Sequence, residues 1–136
     1  MTEILTHRRL DPGLCGRPVR IEEGRAEVEL TATDVMAADE HGLVHGGFVF
    51  GLADHATMLA VNQPNVVLVQ AEVRFVAPVA VGDRMVAEAR VPEGAGTRPV
   101  VEAVVRVGER TVFTGNFHCA VPSRHVLVLD REEEGG

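Results

Sequence analysis

Between Gly46 and Val61 the chain reads GGFVFGLADHATMLAV, and only Asp54, His55 and Thr57 interrupt its apolar side chains. A run of that length, apolar on nearly every side, predicts a helix buried on every side. It is too short and too polar to span a bilayer, which wants about 20 consecutive apolar residues. Elsewhere the period is two. Ala26, Val28 and Leu30 alternate with Arg25, Glu27 and Glu29, so Arg25 to Thr31 predicts a half-buried strand, paired around Glu23-Gly24 with Arg17 to Glu22. Gln63-Pro64 stops the helix. Val66 to Val76 then puts Val69, Ala71, Val73 and Phe75 on one face and Gln70, Glu72 and Arg74 on the other. Arg84 to Val91 alternates in the same way. Pro92 to Pro99 reads as a hairpin loop, and Gly108-Glu109 as a tight turn joining strands Val100 to Val107 and Arg110 to Val121. Val126 to Leu129 is expected to add an edge segment. Residues 1–16 are expected to run extended to the first strand, Thr33 to Glu40 to form a loop, and residues 131–136 to be a frayed, disordered tail.

One helix among five or six antiparallel strands makes an α+β class. A helix apolar all round can be hidden only by a sheet that curls about it and by another copy of the chain. The 136 residues suit a single domain with one real core, and no internal repeat or linker divides them.

Composition removes many functions. The net charge of −7 argues against a nucleic-acid partner, since phosphate backbones want a basic face. There is no Lys, so neither a Schiff base nor a P-loop lysine is available. Ser123 is the only serine, in a short polar stretch after a strand, where a Ser-His-Asp triad is not expected. Cys15 and Cys119 are too few for a disulfide framework, and Cys119 and His118 are strand neighbours that point to opposite faces. The first residues, MTEILTHRRLDPGL, lack the apolar core of a signal peptide, so a cytoplasmic location with no membrane partner is the expectation.

The candidate chemistry gathers on the helix. Its start, Val44-His45-Gly46-Gly47, has none of the Ser, Thr, Asp or Asn residues that usually satisfy the free first-turn N–H groups. Glycines there let a ligand approach those donors and the positive end of the dipole, or else form a closely packed turn. Asp54 is the one acid in the apolar run. A buried carboxylate needs a partner, a wet pocket or a task. Gly46 and Asp54 are eight residues apart, hence about 80° around the helix and about 12 Å along it. One chain cannot bring both to the same small reacting group. If they form one site, a symmetric homodimer with two equivalent sites must supply it.

His45-Gly46-Gly47, then six residues, then Asp54, followed by a strand ending in Phe75-Val76-Ala77-Pro78 and by a Gly82-Asp83 turn, resembles the hot-dog-fold acyl-CoA thioesterases of the PaaI-like type. The likeness runs from about Asp39 to Cys119. It implies a long central helix wrapped by a curved antiparallel sheet, dimers or dimers of dimers, and active sites at the dimer interface. It further implies that the Gly46 N–H polarises the thioester carbonyl and that Asp54 of the other subunit acts as base or nucleophile. Coenzyme A enters as part of the substrate, with acyl carrier protein as an alternative carrier, and no separate cofactor is implied. A local Arg cluster would let an acidic chain hold the CoA nucleotide. Many relatives carry Asn six residues before the motif histidine, where this chain has Asp39, a second acid near the site.

The remaining candidates have two readings each. Asp39, His41, His45, Asp54 and His55 could be assembled into a metal set, but Gly42, Gly46 and Gly47 argue against a helical His41 to His45 pair, and no metal is expected. His45 is read as shaping the helix start, and His55 as a packing or interface residue rather than a catalytic one. Thr57, three residues after Asp54, could bond the carboxylate or bond back to the helix backbone. Gln70, with Glu72 and Arg74, belongs to a polar strand face that is solvated or at an interface, with Gln70 a further site candidate. The expected reaction is thioester hydrolysis. Two rivals are an enoyl-thioester dehydratase using His45 and Asp54, and an acyl-CoA-binding module that keeps the pocket without needing the acid.

Overall fold

The computed structural model describes residues 2–135. The strands join one six-stranded antiparallel sheet in the order β1-β2-β4-β5-β6-β3, comprising β1 (Arg17–Glu22), β2 (Arg25–Thr31), β3 (Val67–Phe75), β4 (Arg84–Arg90), β5 (Val100–Val107) and β6 (Arg110–Ala120). After β2 the chain leaves the sheet, builds helix α2 (Gly46–Val61), and returns at the opposite edge as β3. Helix α2 touches every strand. This is the hot-dog arrangement, with the helix as filling. Leu52, Met58 and Leu59 of α2 share a solvent-free core with Val28, Met85, Val101, Val105, Phe113 and Phe117, each such side chain contributing about 1.5–3 kcal/mol by leaving water.

Helix α2 stops one residue before Gln63-Pro64. Asn62 adopts the left-handed conformation (φ 48°, ψ 51°) and donates its N–H to Met58 O at 2.8 Å, a cap that Asn tolerates better than most residues.

Four expectations are corrected. First, α2 is not buried on every side, because Gly47 is exposed and Phe50, Gly51, Asp54 and Val61 are only half-buried. These positions recur at helical spacing and form one open strip. Second, a bulge between Leu68 and Gln70 removes Val69 from the inward row. Leu68, opposite buried Cys119, takes the inward place with Ala71, Val73 and Phe75. As β3 is an edge strand with nothing beyond it, Val69 and Phe75 are 59% and 55% exposed. Third, Val126 to Leu129 is not an edge segment but the start of helix α3 (Val126–Gly135), which also replaces the disordered tail expected after residue 131. His125 Nδ1 accepts the Leu127 N–H at 3.0 Å, and Arg124 forms a double hydrogen bond to Glu132, so the segment closes on itself. Gly136, the last residue of that expected tail, lies outside the described residues. Fourth, residues 1–16 are not wholly extended. Asp11 caps a short helix α1 (Pro12–Cys15) through Gly13 N, with Pro at its favoured first position. Among the described residues no helix is long and apolar enough to cross a membrane.

Candidate active site

The start of α2 is fixed from outside the helix. His45 N donates to Met36 O at 2.9 Å and Val44 N to Val79 O at 2.8 Å. Upstream, Asp39 Oδ1 accepts the N–H groups of His41 (2.9 Å) and Leu43 (3.2 Å), so this acid closes its own loop. His45 is the N-cap residue, yet its side chain makes no capping bond. No acceptor meets the Gly46 or Gly47 N–H among the described residues, leaving two donors at the positive end of a 16-residue helix.

The two glycines have separate steric reasons. A Cβ on Gly46 would come within 3.0 Å of the Phe75 ring, and one on Gly47 within 2.8 Å of His45 Nε2. The rings of Phe75 and His45 thus close over the first turn, and His45 meets Phe48 edge-on at 6.1 Å. Next to Gly46 an apolar cleft of about 340 Å3 is walled by Leu43, Val49, Phe75, Val76 and Val112, with no charged side chain. Neither Phe75 nor this cleft was legible as part of the site, because both arise from contact between segments distant in sequence.

Asp54 lies two turns along, on the open strip. Its Oδ1 is buried and has no hydrogen-bond partner. Burial pushes its carboxyl well above the ordinary range, to about 6, the kind of perturbation that gathers at working groups. Thr57 does not reach it, since its hydroxyl donates to Ala53 O at 2.9 Å. His55 faces elsewhere, with Nδ1 bonded to Cys15 O at 2.9 Å, and burial holds it below its ordinary pKa. Cys119 is buried, and its thiol is pushed up to about 11 by that burial and then by the nearby Asp54 charge, so it is not a nucleophile near neutral pH. Gln70 is exposed on the outer sheet face opposite His118, which pairs with Glu72 at 2.8 Å. The structure therefore brings His45, Gly46 and Gly47 together, places Asp54, His55 and Thr57 further along the helix and Gln70 on the outer sheet face, and holds Asp39 in the turn that the Ala37–Val44 bridge closes just before the helix. No group of three metal-binding side chains occurs among the described residues. A larger cavity, about 760 Å3, is lined by residues of the β4–β5 loop with Ala60, Val61 and Gln63 and by none of the residues at the helix start, so size alone does not mark the site.

Residues 41–114 match the family model of the thioesterase superfamily, a stretch that begins just before the glycine pair and ends within β6. The chain belongs to the thioesterase superfamily. An uncharacterized protein of Pyrococcus horikoshii is 53% identical, with 93% of this chain and 97% of that one covered at a TM-score of 0.91. The Escherichia coli PaaI protein from the phenylacetic acid degradation operon is 28% identical over 76% of this chain and 80% of that one, with a TM-score of 0.69. A hypothetical thioesterase of Streptococcus pneumoniae, solved with coenzyme A, shares the fold at 19% identity, with a TM-score of 0.72 and coverage of 80% and 87%. Among curated proteins, methylthioribose-1-phosphate isomerase of Aquifex aeolicus is 50% identical over 115 residues, 85% of this chain and 25% of that protein. Transcription factor FapR of Caldanaerobacter subterraneus is 27% identical over 103 residues, 75% of this chain and 52% of that protein. This thioesterase-superfamily chain thus spans about a quarter of the first relative and about half of the second.

Proposed function

We propose that this chain hydrolyses an acyl-CoA thioester to the free acid and CoA, in a site shared between two copies. The acyl carbonyl lies at the Gly46 N–H, which stabilises the oxyanion as the tetrahedral intermediate forms. Asp54 of the second copy either takes a proton from the attacking water or attacks the carbonyl itself. The observation that carries this reading is the buried, unpartnered Asp54 oxygen on a strip of α2 left open to solvent. An uncompensated buried polar atom is costly, and a structural role supplies nothing to offset the cost.

The partners are an acyl-CoA and a second copy of the chain, paired again as a dimer of dimers. The dimer reading is supported by the open strip beside an edge strand that exposes Val69, Phe75 and Val76. The acyl group is apolar, in keeping with the uncharged cleft beside Gly46, whose volume of about 340 Å3 lies at the small end of small-molecule sites. A second reading is favoured by the match to FapR, a transcription factor, namely a module that binds an acyl-CoA without cleaving it. Thiol release from a panel of acyl-CoAs decides between them. Release of CoA from substrates with compact apolar acyl groups is expected. Tight binding without release would establish the module, and hydration of crotonyl-CoA without release would establish a dehydratase.

A further inference from the structure

We propose that the amino-terminal segment forms the binding site for the phosphates of the CoA nucleotide, in a groove between residues 5–9, residues 64–68 and the start of α3. The groove encloses about 460 Å3, and His7, Arg8, Arg9 and His125 line it without any acidic side chain, in a chain of net charge −7. Arg8 and Arg9 are exposed and, like several other arginines, have no ion-pair partner among the described residues; what sets them apart is that they are adjacent and line a groove with no acidic side chain. Guanidinium groups match phosphate oxygens with two parallel hydrogen bonds.

The segment is pinned on both sides of the arginines. Asn62 accepts the Leu5 N–H and donates to Glu3 O, both at 2.8 Å, while Cys15 O meets His55 Nδ1 at 2.9 Å. Between these anchors Thr6 is buried with Oγ1 2.7 Å from His7 Nδ1, and His7 holds a left-handed φ of 52°. A backbone fixed in advance loses less freedom on gripping an anion. Burial and then His55 hold His7 below its ordinary pKa, so Arg8 and Arg9 supply the charge. The groove lies past the C-terminal end of α2, where Asn62 holds the segment in place, and its wall residue Leu68 pairs with Cys119. The long pantetheine arm of CoA places its phosphates away from the thioester, on a neighbouring surface of this kind.

The identity of the anion rests on the thioesterase reading; the groove does not. The test is Arg8→Gln/Arg9→Gln beside Arg98→Gln/Arg106→Gln, which removes two exposed charges elsewhere. By titration calorimetry with free coenzyme A, the first pair is expected to weaken Kd about tenfold or more and to flatten its dependence on salt, while the second pair does neither. In turnover the KM for acyl-CoA rises by a similar factor, and the loss is absent for the same acyl group carried on pantetheine. An unchanged Kd, an equal loss in the control pair, or a parent protein that does not bind CoA would overturn the proposal. So would a loss confined to acyl carrier protein substrates, which would point to a protein partner. CoA binding lost with Arg8 and Arg9, in a parent that releases no thiol from any thioester, would sustain the groove and overturn the hydrolase reading alone.

Discussion

Asp54 shows how far a single residue can be read. Its isolation in an apolar run was legible from the sequence, but its missing hydrogen-bond partner was not, since that depends on Thr57 turning back to Ala53. With its carboxyl raised to about 6, the acid limb of kcat/KM is expected to have an apparent pKa near that value if the ionised form is required. Asp54→Asn should lower kcat by about 10² to 10⁴, and activity within a few-fold of the parent would remove Asp54 from the mechanism. The same substitution has an effect on stability. Because the folded pKa lies above the unfolded one, Asp54 costs nothing below about pH 4, and its destabilisation builds up between about pH 4 and about pH 6 to level off at about 3 kcal/mol above that. Asp54→Asn is therefore expected to raise the melting temperature by several degrees at pH 8 and hardly at all near pH 4, in paired calorimetric scans. Asp39 makes a contrasting case. Its Oδ1 accepts two loop N–H groups, as an Asn side-chain oxygen also can, so Asp39→Asn is expected to keep the fold and equal or exceed the parent's turnover. A collapse of activity would mean that the Asp39 charge itself takes part in the reaction.

At the scale of elements, helix and strand positions were legible wherever periodicity was long and unbroken. Helix α2 runs over the sixteen residues its apolar pattern marks, Gly46 to Val61. The misreadings fall where a local event overrides the period. A bulge takes Val69 out of the inward row, and His125 with the Arg124–Glu132 pair turns a short apolar run into a helix. The glycine pair was left open between a place where a ligand approaches and a closely packed turn, and the packing partner was hidden, because Phe75 reaches Gly46 only through the crossover that makes β3 the far edge strand. This contact sharpens the test of the oxyanion donor. Pro is tolerated at the first helical position and removes the N–H, but its Cβ would also press on the Phe75 ring. Gly46→Ala presses on that ring and keeps the donor. Steady-state kinetics are expected to show kcat for Gly46→Pro lower than for Gly46→Ala by about 10² or more. Equal rates in the two variants would assign the effect to Phe75 and dismiss the Gly46 N–H.

The whole molecule is where one chain is least sufficient. Gly46 and Asp54 sit on one straight helix about 12 Å apart along its axis, and within the described residues no other acid stands free beside the Gly46 donor. On the proposed reading, the open strip of α2 and the exposed β3 edge are the surface a second copy would cover, bringing its own Asp54 to the Gly46 N–H. Gly46→Pro or Asp54→Asn alone should then disable both sites of a homodimer. When the two inactive proteins are unfolded together and refolded, half the dimers are mixed, and in each mixed dimer one site carries both lesions and the other none. Random pairing is therefore expected to return about a quarter of the parent activity per dimer under two-fold symmetry. If each site lay within one chain, every site would keep a lesion and no activity would return. Mixed dimers separated by a charge tag and found inactive would rule out the shared site, and with it the assignment of Asp54 and Gly46 to a common reaction.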